Sequence, residues 1–119
     1  MHKIYYFSGT GNTLSAAKQV AAKLGNDVEL LPIASLPRGC EVDFGNVETV
    51  GIFHPVYCFG VPALVQNFLE RLKVLPKGGP QPYIYSLCTS SGLLGSAHLI
   101  MEQTLRKQGY KVNYTAKAE

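Results

Sequence analysis

Apolar positions along the chain alternate between short buried runs and helical stripes. Residues 3–7 (KIYYF) read as a first buried strand, followed at once by a Gly/Ser/Thr loop and then by a helix. Leu14, Ala17, Val20, Ala21 and Leu24 recur at three- and four-residue spacing, and Gly25-Asn26 supplies a stop where a left-handed backbone costs little. Val28 to Ile33 is a second short strand. The connection from Ala34 to Asn46 carries Pro37, Gly39 and Gly45, which predicts loop with at most a short helix.

Val47 to His54 reads as a third strand. Behind Val61 the stripe Leu64, Val65, Phe68, Leu69 and Leu72 predicts an amphipathic helix, with Pro62 in its first turn and its end near Lys73 to Pro76. PKGGPQP is a turn too short to link domains. Tyr83 to Cys88 is a fourth strand, Ser96 to Gln108 a further helix closed by Gly109, and Tyr110 to Tyr114 a fifth strand by alternation.

Strands alternating with helices imply an α/β domain with a parallel sheet and right-handed crossovers. Ligands of such sheets bind beyond the carboxyl ends of the strands, so the segments after strands one, three and four should form the site. With 119 residues, 46% of them hydrophobic, the chain suffices for one core and not for two, so residues 1–119 are expected to form a single domain.

Charge and cysteine content remove several function classes. The net charge of +3 is scattered, and only Arg106 and Lys107 adjoin one another among the lysines and arginines, which argues against nucleic-acid binding. No run approaches the ~20 apolar residues of a membrane helix, and MHKIYYF has no secretory pattern. A soluble, cytoplasmic protein without a membrane partner is expected. Cys40, Cys58 and Cys88 are odd in number and form no CxxC, against a disulfide framework, a zinc site or an iron-sulfur cluster.

The segment Ser8-Gly9-Thr10-Gly11-Asn12-Thr13 places hydroxyls and glycines at a helix start, which makes an anion cradle. Unpaired amides and the helix dipole favour negative charge there, and Ser8, Thr10 and Thr13 add donors. A merely capped helix start would use the same residue types at lower density. A Walker loop is excluded because the segment has no Lys, and a dinucleotide fingerprint fails because Leu14 stands where the third glycine belongs. A Cys-x5-Arg phosphatase is excluded too, since Asn46, Leu64 and Leu94 lie six places after the three cysteines. The aspartates of a response regulator are absent from the strand ends.

The pattern [ST]-x-T-G-x-T, met by Ser8, Thr10, Gly11 and Thr13, resembles the FMN phosphate loop of the flavodoxin family. His54-Pro55-Val56-Tyr57-Cys58-Phe59-Gly60-Val61-Pro62 is similar to the first isoalloxazine loop of flavodoxin modules found fused to ferredoxins. Cys88-Thr89-Ser90-Ser91-Gly92-Leu93-Leu94-Gly95 stands in the place of the second flavin-flanking loop. The resemblance implies a flavodoxin-like fold with a five-stranded parallel sheet in order 2-1-3-4-5, helices on both faces and the final helix missing. It implies FMN as cofactor, bound through Ser8, Thr10, Gly11, Asn12, Thr13, Pro55, Val56, Tyr57, Cys58, Phe59, Gly60, Thr89, Ser90, Gly92 and Gly95.

A planar, largely apolar ring with polar edges needs an aromatic wall and exposed amides. Tyr57 suits the wall, Phe59 serves equally as wall or as core, and Gly60, Gly92 and Gly95 let main chain come close. His54 reads as the end of a buried strand and His98 as a helix residue that packing or solvent explains, neither with a recognisable nucleophile partner, and Cys58 and Cys88 read as small buried hydrophobes. No Asp, Glu, Lys or Arg occurs in 8–13, 55–62 or 89–97, so neutral donors would hold the phosphate and the second flavin reduction should be less depressed than in acidic flavodoxins.

An electron carrier is the leading expectation, with redox partner proteins, iron-sulfur proteins among them. An FMN-dependent NAD(P)H:quinone-type reductase and a degenerate interaction module without flavin are the alternatives. Flavodoxins add a helix after the fifth strand, whereas only Thr115 to Glu119 follow here. The under-covered face predicts a homodimer or other partner, or an additional C-terminal segment; Tyr110, Val112 and Tyr114 are expected to face the core and Lys111, Asn113 and Thr115 water.

Overall fold

The structure, a computed structural model, describes residues 1–7, 12–25, 27–36, 44, 47–55, 63–72, 81–89 and 97–118. Five strands, β1 (His2–Tyr6), β2 (Val28–Pro32), β3 (Thr49–Pro55), β4 (Tyr83–Thr89) and β5 (Tyr114–Ala118), make one parallel sheet in the order β2-β1-β3-β4-β5. Among the described residues three helices accompany them: α1 (Asn12–Leu24), α2 (Ala63–Glu70) and α3 (Ala97–Lys107). A 3-10 turn, Ile33–Ser35, follows β2, where the sequence allows at most a short helix, and it takes Ile33 out of the expected strand.

The helices lie on both faces because the strands are apolar on both. Tyr5, Val50, Ile52 and Ile84 pack with Val65 and Phe68 of α2 and Met101 and Leu105 of α3. Ile4 and Phe53 pack with Ala17 and Val20 of α1 on the opposite face. β3 is buried along its length, as a central strand must be, and each of its fully buried large side chains contributes about 1.5–3 kcal/mol. Gly25 (φ 105°) ends α1 and Gly109 (φ 89°) follows α3, both in the left-handed region that spares glycine a Cβ clash.

The α1 face is the less covered. In β4 burial alternates, with Ile84, Ser86 and Cys88 buried toward α2 and α3 while Tyr83, 49% exposed, opens on the other side. Gly51 allows the Tyr85 ring to lie across β3 on this face: a Cβ there would stand 2.7 Å from Cζ. Among the described residues α1 is the one helix on that face.

Most strand boundaries shift by one or two residues from the sequence expectation, and the larger departures are in α2 and the fifth strand. α2 ends at Glu70 rather than near Lys73 to Pro76. The fifth strand begins at Tyr114, four places after the expected Tyr110. Tyr110 is buried and Val112 packs against the core as expected, but Tyr114 is 59% exposed and does not face the core.

Side chains supply the pairing ahead of β5. The Gln81 carboxamide donates to the Lys111 carbonyl and accepts from the Lys111 amide, each at 2.8 Å, as a neighbouring peptide would. Asn113 then donates its amide to the Ile84 carbonyl at 2.7 Å, and its Oδ1 accepts from the Ile84 amide at 2.9 Å. The regular ladder starts one residue later, at Tyr114 opposite Tyr85.

Candidate functional site

The strand order reverses between β1 and β3: from β1 the chain passes by α1 to β2 on one side, and from β2 it returns to β3 on the other. The carboxyl ends of those two strands are therefore the topological switch point, the place where sheets of this kind bind ligands. Their pairing persists past the end of β1, where the Phe7 amide donates to the Phe53 carbonyl at 2.9 Å.

α1, which follows β1, starts at Asn12 with no acidic residue in its first turn to oppose an anion. Thr13, 2% exposed, sits in that turn, and its Oγ1 is 2.8 Å from Oγ1 of Thr89, the last residue of β4. Pro55 closes β3 and is the register partner of Thr89. The fold thus gathers Asn12, Thr13, Pro55 and Thr89 at one edge of the sheet. The other residues assigned to the site, Ser8, Thr10, Gly11, Val56, Tyr57, Cys58, Phe59, Gly60, Ser90, Gly92 and Gly95, lie outside the described residues.

One residue earlier in the same two strands, His54 faces Cys88, and both are 0% exposed. His54 Nε2 is 3.6 Å from Cys88 Sγ, and His54 Nδ1 is 2.9 Å from the Pro55 carbonyl oxygen. The expectation that His54 packs at the end of a buried strand holds, and a side chain that it meets there is Cys88. The signal in the sequence was positional: His54 and Cys88 are the last residues of the strands that the sequence predicts, and in the structure each stands one place before the end of its strand. Burial pushes the Cys88 thiol up to about 11, outweighing a smaller lowering from the Ser86 hydroxyl, so the thiol is protonated at neutral pH and is no activated nucleophile.

The depression lined by Glu102, Arg106, Gly109 and Tyr110 lies at the far end of α3, away from this edge, and contains none of the residues the sequence assigns to a site. No group of three or more His, Cys, Asp or Glu suited to a metal ion occurs among the described residues. No helix among them is long and apolar enough to cross a membrane.

No protein-family model matches the chain, and no curated protein matches it in sequence. Solved structures do. A flavoprotein from Lactobacillus acidophilus in complex with FMN superposes with a TM-score of 0.73 at 16% identity, over 98% of this chain and 91% of that one. The two-electron reduced flavodoxin of Megasphaera elsdenii gives 0.71 at 21% identity, over 98% and 85%. An FMN-dependent NADH-azoreductase from Bacillus anthracis, in complex with FMN, gives 0.66 at 10% identity, over 98% and 86%. Sheet order, crossovers and superposition agree that the chain has the flavodoxin-like fold.

Proposed function

We propose that the chain binds FMN non-covalently at the carboxyl edge of β1, β3 and β4 and passes electrons through it as a carrier. The observation that carries this reading is the meeting of Thr13 and Thr89 at the start of α1. Two hydroxyls hold two hydrogens, and their mutual bond uses one, so the other remains to donate to a ligand. With the helix-start amides this makes an uncharged donor set that fits a phosphomonoester. Two of the similar structures are complexes with FMN, which supports the same cofactor here.

When bound, the flavin supplies the one- and two-electron chemistry. The chain's own residues bind and orient it: Thr13 and the α1 amides at the phosphate, Pro55 and Thr89 at the ends of the two strands that flank the ring. Redox partner proteins, iron-sulfur proteins among them, complete a carrier's cycle.

Titration of the purified, folded chain with FMN and with riboflavin tests the reading. FMN should bind, and riboflavin, which lacks the phosphate, should bind more weakly; a native chain that takes up neither overturns it. A carrier should not oxidise NAD(P)H with a quinone acceptor, whereas a reductase should. Potentiometry should place the second reduction step higher than in strongly acidic flavodoxins, because residues 8–13, 55–62 and 89–97 carry no carboxylate.

A further inference from the structure

α3 ends in a turn whose backbone is held by hydrogen bonds. The Gly109 amide donates to the Arg106 carbonyl at 3.0 Å and the Tyr110 amide to the Leu105 carbonyl at 2.9 Å, while the positive φ of Gly109 reverses the chain. Gln81 then holds Lys111 through both its amide and its carbonyl. Arg106 and Lys111 thereby line one depression of about 520 Å³, together with Tyr110 and Val112. A second, of about 280 Å³, lies between Gln103, Arg106 and Lys107, so Arg106 is common to both.

Arg106, Lys107 and Lys111 are all exposed, and among the described residues none of them forms an ion pair. Arg106 and Lys107 stand in the last turn of α3, where they oppose the helix dipole, but Lys111 lies beyond the helix and that role does not bring it to the same depression. Glu102 is a carboxylate in the lining, and Glu70, whose carbonyl accepts from Gln108, is followed by Arg71. Arg71, Arg106, Lys107 and Lys111 against Glu70 and Glu102 leave this flank positive.

Residues 8–13, 55–62 and 89–97, by contrast, carry no charge with which to attract a protein. α3 runs from the carboxyl edge of the sheet back to the start of β5, and its 11 residues span about 16 Å. An interface of ordinary size, about 800 Å² on each partner, is broader than that, so one protein can rest on the cations and still reach the edge.

We infer that the flank of Gln103, Arg106, Lys107 and Lys111 docks an acidic protein, the redox partner that a carrier requires; the partner's role rests on the carrier reading above. Arg106 offers its guanidinium fork to a carboxylate, with Lys107 lining one depression beside it and Lys111 the other. Exposed charges of this kind set encounter and orientation more than final affinity, which suits a carrier that must release its partner.

Titration of the nitrogen-15-labelled chain with a plant-type ferredoxin, an acidic iron-sulfur protein, tests the surface. It should shift or broaden the amide signals of Gln103, Arg106, Lys107 and Lys111 and spare those of Lys23 and Glu29. Effects centred on α1 or β2 overturn the inference, as does an equal effect on the same four amides from cytochrome c, a basic protein. Inorganic phosphate or a DNA duplex that shifts them in the same concentration range, or dilution that shifts them with no probe present, identifies another occupant and also overturns it.

Arg106→Gln with Lys111→Gln should weaken the ferredoxin complex about fivefold at low salt, and by less as salt rises. Lys18→Gln with Lys23→Gln removes the same charge from α1 and should change it less than about twofold. Equal losses in the two double variants show an effect of net charge alone and overturn the inference. The titration is run on the chain with and without FMN: a parent that takes up no FMN refutes the carrier reading, whereas one that takes it up and does not engage the ferredoxin through α3 refutes only the docking surface.

Discussion

The hydroxyl oxygens of Thr13 and Thr89 stand 2.8 Å apart although 76 residues separate them along the chain. The pair ties the first turn of α1 to the end of β4, so it joins two of the three segments at the carboxyl edge of the sheet.

Thr89→Val keeps the shape and removes one hydroxyl, leaving the buried Thr13 oxygen without its partner. Unfolding in urea should show a loss of about 1–3 kcal/mol, and the FMN dissociation constant should rise about fivefold. In a double-mutant cycle with Thr13→Val the two losses should not add, because the second substitution removes a group already unpaired.

Gly51 and Tyr85 are register partners, and the Tyr85 ring occupies the space a side chain at 51 would need, with Oη 2.8 Å from the place of a Cβ. The ring has little room to retreat, being edge-on to Phe53 at 5.9 Å between centroids. Gly51→Ala should cost about 1–3 kcal/mol by overpacking, and markedly less in a Tyr85→Ala background. Equal costs in both backgrounds would show that the ring is not the obstacle.

Stability should fall at alkaline pH. Burial raises Tyr85 from 10.0 to about 12, against a smaller lowering by Thr49, and raises Cys88 from 9.0 to about 11. Below about pH 9 both groups are protonated whether the chain is folded or not, and stability does not depend on them. Above it the unfolded chain releases these protons first, so stability declines between about pH 9 and 12. Urea midpoints measured across this range should drop, and Cys88→Ala should flatten the part between 9 and 11.

Asn113→Ala should remove the acceptor of the Ile84 amide, at a cost of about 1 kcal/mol. Hydrogen exchange at Ile84 should quicken while that at Ile52, in the middle of the sheet, keeps its rate.

Most of the architecture was legible because burial leaves a period in the sequence. Leu14 to Leu24 and the β3 run are read correctly from spacing alone, since each element spends its apolar side chains on faces that the fold then covers. Tyr110 to Tyr114 misled for the same reason: Tyr110 and Val112 do turn inward, but the ladder beside them is replaced by the amides of Gln81 and Asn113, which hydropathy does not register. At the site, hydroxyls beside a helix start marked Thr13, and the strand end marked Thr89. Their direct bond, like that of His54 to Cys88, depends on register between strands, which no local pattern encodes.

The chain contains seven tyrosines and no tryptophan, so its intrinsic fluorescence comes from phenols. Tyr83 and Tyr114, both exposed, stand on the same side of the sheet as Tyr85, the side on which α1 packs. Any molecule settling against that side would alter their emission, which gives the protein a label-free optical reporter.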